Sequence, residues 1–593
     1  MDRNTIFAYI LILVVLFAIP FYFNWISPPP QQQPDTVRVT QQDTLTRDTT
    51  KAPEDEPSVQ EEAEKPAEIF TEEDTSAQTE GEEAPPQLGE EYVIETEKFW
   101  VSLTNRGGGT INSLRLKGYS GRGNNPYVQL IPERSKQLLN FSATGFEGES
   151  FDFRDRNFSL ETSSGVTPEP SDTVRIYDKS MTLVFSHTTE EGATLVRSLT
   201  FYPSQYHIGL NLRLEHFRDL IANREYQLSW NSAIAITEEN VSDDLNYSKA
   251  YGLLGDEMVD IDGGKADKGD PEVESMEGNT KWVAVRNKYF TSIIAPVSRQ
   301  GTGMTLRGTK EFGGNPEVKK YDVSLTLPYE EQRVQSDSFL VYIGPLDYGI
   351  LNDYERGFQR MMNFGWSPIR PISKLVLWAF TTIHQVIPNY GLVLILFGVV
   401  VKILVFPLTK KSYVSMKEMQ NLQPRVQELR EKYKDDSEKM NQEMMKIYKE
   451  HGVNPIGGCL PMLLQMPLLY ALFIVFRSTI ELRGAEFIGW ITDLSQPDTV
   501  LTLPFSIPLY GANVNILPLI MAVTMIGQQR MTSTGTTGSQ QKMMMWFMPV
   551  FFLLIFNNFP SGLNLYYALF NIMTIIQQKW FIDLPEAPAD NKS

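Results

Sequence analysis

A single cation interrupts the run Gly391–Leu408, GLVLILFGVVVKILVFPL, where Lys402 is the one charge among 18 residues. As a helix this run rises about 27 Å, close to the roughly 30 Å hydrocarbon thickness of a bilayer. A lysine at the middle of a spanning helix costs about 2.5–3.5 kcal/mol on insertion scales. Either its amine snorkels to the headgroups, or it faces a polar recess. A second pattern bears on that choice. Asn564, Tyr567, Asn571, Thr574 and Gln578 recur at i, i+3, i+7, i+10 and i+14, one face of a helix. Gln465 stands mid-run in another apolar segment, and Thr524 and Gln528 are one turn apart in a third. Polar groups in lipid are costly unless they meet one another or water. They could act as interhelical glue, at about 0.6 kcal/mol per pair, or line one hydrated cavity with Lys402. The second reading is favoured because no Asp or Glu occurs in any apolar run, and a cation without a counter-ion in an apolar core needs water. Such a cavity presents a positive charge to an acidic segment. It lacks the membrane carboxylate on which transporters and proton relays usually depend.

The elements that must hold these residues follow from how the apolar runs are distributed. Mean hydropathy is −0.23 over the 593 residues, but 27–360 is polar and 372–582 carries most of the long apolar runs. Met1–Asn4 is short and polar, and Thr5–Ile26 is almost wholly apolar, longer than a signal-peptide core and without a small-residue cleavage site. Residues 1–26 are expected to be an uncleaved signal-anchor helix. The tract 27–90 holds 17 Asp/Glu against 4 Lys/Arg, or −13 of the net −19. It is expected to be a disordered acidic linker. Over 91–350 the period changes to two, as in Ile208-Leu210-Leu212-Leu214, with turn signals such as Gly107-Gly108-Gly109. This predicts a large antiparallel β-sandwich, with Glu238–Asn279 as an excursion loop. Over 368–389, apolar residues at helical spacing (Ile372, Leu375, Val376, Ala379, Phe380, Ile383) oppose Lys374, Thr381, His384 and Gln385. That pattern fits an amphipathic helix in the membrane interface, or one packed on the soluble domain.

Residues 390–582 then read as five spanning helices. A cytoplasmic helical hairpin over 409–454 is split near Lys434-Asp435-Asp436-Ser437, where Ser437 or Asp436 caps the second arm. It carries 10 Lys/Arg against 8 Asp/Glu. Its methionines, Met416, Met419, Met440, Met444 and Met445, suit either a surface for varied apolar segments or ordinary packing. The segment 481–512 holds four acids and one arginine, and Arg530, Lys542 and Lys579 fall on the other side. With the signal-anchor this gives six spans, both termini inside and the sandwich outside, with 583–593 a cytoplasmic tail. The fold class is thus a membrane α-helical bundle, a five-helix core plus an N-terminal signal-anchor helix, with a large exported antiparallel β-sandwich domain.

Several function classes are disfavoured. The acidity is mostly one linker, so nucleic acid is not an expected partner. A lone cysteine, Cys459, allows no intramolecular disulfide. The five histidines show no metal spacing, and no phosphate loop, Gly-x-Ser-x-Gly elbow or CxxC is present. DIDGG is acidic like a calcium loop but lacks the later bidentate Glu, and reads as a solvated turn. No enzyme chemistry, metal or cofactor is expected.

The ordered motifs VVVKILVFPLT, LQP, NQEMM, VNPIGGCLPMLLQMP, DLS, FMPV, FPSGLNLYY and TIIQQ, densest across 391–582, resemble the YidC family of bacterial membrane-protein insertases. KWVAVRNKYFTSIIAP and DSFLVYIGPL extend the resemblance into the β domain. It implies an insertase and folding chaperone with a hydrophilic groove open to cytoplasm and lipid. Newly made membrane proteins are the implied clients, served alone or with a Sec translocon and the ribosome. The family's arginine in the second span falls on Lys402, which keeps the charge and loses the bidentate fork. Lys402 is then the groove cation, and Gln465, Thr524, Gln528, Tyr567, Asn571 and Thr574 are its candidate polar lining. The competing readings are a solute transporter or channel whose exported β domain captures a ligand, and a structural scaffold for membrane complexes.

Overall fold

The computed structural model describes residues 89–582 apart from 124, 133–137, 163–168, 171, 233, 312–316, 434–435, 453–459, 509 and 533–538. The expected signal-anchor, nearly all of the linker, Cys459 and the 583–593 tail lie outside the described residues.

The period-two segments form two sheets. Five strands, Glu91–Glu95, Phe99–Thr104, Thr110–Leu116, Val128–Ile131 and Thr173–Arg175, make the smaller sheet, and fourteen make the larger. Their inward residues close one core: Ile94, Val101, Leu103 and Leu114 from the first, Phe185, Leu199, Leu212 and Phe339 from the second. Gly109 lets the layers approach. Its φ is +77°, and a Cβ there would lie 2.5 Å from Leu199 Cδ1. The antiparallel expectation needs one correction, because Val93–Glu95 pairs in parallel with Thr173–Arg175. Parallel neighbours require a long connection, and here the chain passes through the larger sheet between them.

Glu238–Asn279 is not the expected excursion loop. Asn240 caps helix α1 (Val241–Tyr247), its side chain accepting from Asp243 N at 3.1 Å. Strands Lys249–Leu254 and Glu257–Ile261 follow, and the segment ends in the long strand Glu272–Arg286. The last two strands leave many residues exposed, so their composition resembles a loop while backbone pairing makes them sheet.

The helices are α2 (Tyr348–Asp353), α3 (Arg370–His384), α4 (Tyr390–Asn421), α5 (Gln423–Lys432), α6 (Ser437–Glu450), α7 (Leu460–Ser478), α8 (Ile516–Thr532), α9 (Ser539–Phe556) and α10 (Ser561–Ile582). Among the described residues one helical stretch, Tyr390–Pro407, is long and apolar enough to cross a membrane; Gln465–Ser478 and Trp546–Phe556 are shorter apolar stretches. Helix α4 continues through Pro407 to Asn421. The chain turns at Leu422, and Pro424 starts α5, where its missing N–H is not needed. Asp436 caps α6, accepting from Lys439 N at 3.0 Å. Met419 and Met444 pack on Leu422, Val426 and Tyr448, whereas Met445 is exposed. On α3, Val376, Leu377 and Phe380 are buried against the bundle while Leu375 and Trp378 are exposed. The apolar face is therefore turned from the expected one, with Leu377 inward and Leu375 outward.

A second core joins Trp282, Tyr342 and Phe358 at one end of the sandwich to Phe380, Phe397, Phe476 and Tyr566 in the bundle. The segment between α7 and α8 holds a hairpin, Thr499–Ile507 with Gly511–Asn515, that the residue pattern did not indicate.

Candidate functional site

Lys402 is turned into the bundle and only 3% exposed. Helix α10 packs against α4, α7 and α8, and its polar row meets the cation. Lys402 Nζ donates to Thr574 Oγ1 at 2.6 Å and lies 3.7 Å from the centre of the Phe570 ring, a cation–π contact. Thr574 Oγ1 donates in turn to Phe570 O at 2.7 Å, which leaves its lone pairs for the amine. Seven and eleven residues beyond Lys402, on the same face of α4, Thr409 and Tyr413 extend this polar contact, the Tyr413 hydroxyl reaching both Thr409 and Thr574. Sequence reading had passed over these two; their i+7 and i+11 spacing from Lys402 was the available signal. Among the described residues, no carboxylate is paired with Lys402. An ammonium has three N–H donors, and one is used by Thr574.

The other singled-out residues divide. Asn571 Nδ2 donates to Thr524 Oγ1 at 3.3 Å, and Thr524 Oγ1 donates to Met521 O at 2.8 Å. Asn564, Asn571, Thr574 and Gln578 are buried, and Tyr567 is half-buried, edge-on to Phe556 of α9. Gln465 is half-buried on α7, and among the described residues its Nε2 and the Gln578 and Asn564 side-chain carbonyls find no hydrogen-bond partner. Gln528 is half-buried on α8, one turn from Thr524. The structure thus joins Lys402 to Thr574 and Asn571 to Thr524.

Polar clasps at the other end of the bundle hold these helices in register. Asp498 Oδ2 accepts from Ile516 N at 3.1 Å and Leu517 N at 2.8 Å, capping α8, and from Trp490 Nε1 at 3.0 Å. Asn557 Nδ2 donates to Tyr510 O at 2.9 Å and Asn513 O at 2.7 Å, and Asn515 Nδ2 donates to Asn557 O. Ser561 Oγ donates to Asp493 O at 2.8 Å.

The sandwich is bolted to the C-terminal end of α7. Asp243 accepts from Lys288 Nζ at 2.8 Å and Arg477 Nη2 at 2.6 Å, and Glu238 accepts from Arg483 Nε at 2.7 Å. Nearby Glu481 has a buried Oε2 with no hydrogen-bond partner among the described residues. Burial first, then the charge of Asp347, pushes its carboxyl from 4.5 up to about 8. A raised carboxyl means the folded state binds more protons, so this group's contribution falls as pH rises from 4.5 through about 8. Glu481→Gln is therefore expected to raise stability at pH 8 by about 1–2 kcal/mol and change little at pH 4.5. Thermal unfolding of the detergent-solubilised chain at the two pH values checks this; an equal change at both would show that the charge is not the cause.

With this geometry in hand, the chain can be set against known proteins. The model of the 60Kd inner membrane protein family matches residues 382–586, and that of the YidC periplasmic domain matches 91–379. The membrane protein insertase YidC of Chlorobium phaeovibrioides is 38% identical over 504 residues, 84% of each chain. Its counterpart in Chlorobaculum parvum is 35% identical over 585 residues, 98% of this chain and 94% of the relative. A crystal structure of an active YidC insertase with its first transmembrane domain resolved aligns over 83% of this chain and 95% of its own, at 16% identity and a TM-score of 0.35.

Proposed function

Because the chain belongs to the YidC family of membrane protein insertases, we propose that it inserts membrane proteins through a polar recess built on Lys402. The chain is a membrane protein insertase; the recess and its residues are our reading. The observation that carries it is the amine of Lys402, held inside the bundle on the hydroxyl of Thr574 with no acid paired to it among the described residues. An acidic extracytoplasmic tail of a client supplies the missing anion. Thr524, Asn571 and Thr574, with Gln465, Gln528 and Tyr567 further along the recess, exchange hydrogen bonds with the tail's backbone. They lower a crossing cost that otherwise runs to several kcal/mol per unsatisfied group. The client's apolar segment moves into lipid beside the recess, and its burial, at about 25 cal/mol per Å², supplies the drive. The work is binding and transfer between phases, with no covalent step and no nucleotide.

In this reading α4, α7, α8, α9 and α10 span the inner membrane, the sandwich stands in the periplasm and the α5–α6 hairpin faces the cytoplasm. Both termini are cytoplasmic. The hairpin receives the client from the ribosome, and the chain works alone or with a Sec translocon. The test is reconstitution into liposomes with a single-span client bearing an acidic tail. Protease-protected client without ATP supports this reading, whereas solute flux without insertion would replace it with a transporter.

Thr574→Val removes the acceptor that the Lys402 amine has among the described residues while keeping the side chain's shape. A hydrogen bond to a charged group contributes about 1.5–3 kcal/mol, so insertion is expected to slow roughly tenfold. Thr574→Ser should stay near the parent rate. The liposome assay separates the two, and equal rates for Val and Ser would detach Thr574 from the working cation.

A further inference from the structure

In the hairpin Thr499–Ile507 with Gly511–Asn515, the first strand is apolar and has little of its surface covered by the rest of the protein, while the second is largely half-buried and ends on the buried Asn515. Val500, Leu501, Phe505 and Ile507 are all exposed, and consecutive exposed positions mean that both faces of this first strand are open. In water such a patch is a liability. Its setting points to one occupant. Residues 499–529 contain no Asp, Glu, Lys or Arg, so the ribbon and most of α8 form one uncharged surface. That surface continues into Leu519, Ile520 and Val523 of α8, also exposed. The ribbon is also fixed in place: Asn557 holds the carbonyls of Tyr510 and Asn513, and Asp498 anchors its base to α8 and to the half-exposed Trp490. An apolar element held rigidly at the end of an exposed apolar helix face, with a tryptophan at its root, matches the boundary between headgroups and acyl chains. It cannot lie deeper, because a two-stranded ribbon has free backbone edges that hydrocarbon leaves unsatisfied.

We propose that the 499–515 hairpin is a lipid anchor seated in the headgroup layer of the outer leaflet, with Phe505 and Leu501 in the upper acyl region. It fixes the depth of α8 and of the polar residues that α8 carries. This inference rests on reading α8 as a spanning helix, and the experiment tests that separately.

Single cysteines are placed at Phe505, Val523 and Glu257 in the full chain carrying Cys459→Ser, labelled with an environment-sensitive fluorophore, and reconstituted into phosphatidylethanolamine–phosphatidylglycerol vesicles. Glu257 is exposed on the sandwich and serves as the aqueous reference. At Phe505→Cys, a shallow nitroxide lipid is expected to quench about threefold more than at Glu257→Cys, and iodide about threefold less. At Val523→Cys, a deep nitroxide lipid is expected to dominate. Equal iodide quenching at 505 and 257, or protection at 505 without lipid quenching, overturns the anchor; the latter shows a second copy or other protein covering it. If 523 also fails to meet the deep probe, the spanning assignment of α8 has fallen, not the anchor alone. Leu501→Cys is a second reporter should the Phe505 variant fold poorly, with the same outcomes.

Discussion

Lys402→Glu is expected to cut nucleotide-independent insertion of an acidic-tailed client by about a hundredfold, while Lys402→Arg stays within a few-fold of the parent. A client carboxylate held about 6 Å from the ammonium gains about 3 kcal/mol at an effective dielectric near 20, about two decades in an equilibrium constant. Reversing the charge removes that gain and adds repulsion. Arginine keeps the charge, and its fork restores paired hydrogen bonding to a carboxylate. Among the described residues the amine's direct contacts offer little to compensate: the hydroxyl of Thr574 and the ring of Phe570. A client whose tail carries no acid controls for misfolding. The Glu variant should insert it at close to the parent rate, so the loss is specific to the charge of the tail. The measurement is protease-protected client in liposomes, for both clients and all three proteins. Parent-level insertion of the acidic client by the Glu variant would remove electrostatics from the mechanism and leave Lys402 as a structural donor to α10.

The parts of this molecule legible in the sequence share one property: their signal is local. The charge of Lys402 stands against an apolar run, and the polar row of α10 follows a helical period. Strand alternation from Tyr92 onward marks the sandwich, and Asp436 precedes the helix it caps. In each case the physics acts over a few residues, so spacing carries it. The contacts that were missed join distant residues. Asp243 meets partners 45 residues away at Lys288 and 234 away at Arg477, and nothing in the spacing of those three announces that they converge. The 238–279 segment was hidden by composition, since exposed strand residues such as Glu257, Asp260 and Glu277 are those a loop would use. The 499–515 hairpin was hidden differently: Pro504 argues against a strand, and the pairing shifts register across it, between Thr502 and Ile507.

Asp243→Ala is expected to destabilise the full chain by about 3–5 kcal/mol, the range for removing one partner of a buried ion pair. The cost comes from what stays behind. The Lys288 side chain is 1% exposed, and without Asp243 its ammonium has lost its carboxylate in a place where water cannot replace it. Burial alone would raise the Asp243 carboxyl, but the charges of Lys288 and Arg477 outweigh it and hold the group below its ordinary 3.8. A carboxyl depressed on folding contributes stability above its unfolded value and loses it as pH falls through the folded one. The parent should therefore lose stability steeply below about pH 4, and the Ala variant, already without the group, should show a shallower fall. Because Arg477 ends α7 while Lys288 and Asp243 belong to the sandwich, the damage should concentrate at the junction. Amide hydrogens of 241–247 and of the last turn of α7 should exchange faster, with the larger sheet unchanged. Thermal unfolding across pH and site-resolved exchange on the solubilised chain together decide the matter. A variant that also replaces Lys288 by Met and Arg477 by Leu should recover most of the loss, since an apolar set of similar volume leaves no charge unpaired. If the single variant unfolds like the parent, or the triple variant fails to recover, the triad does not hold the two parts together.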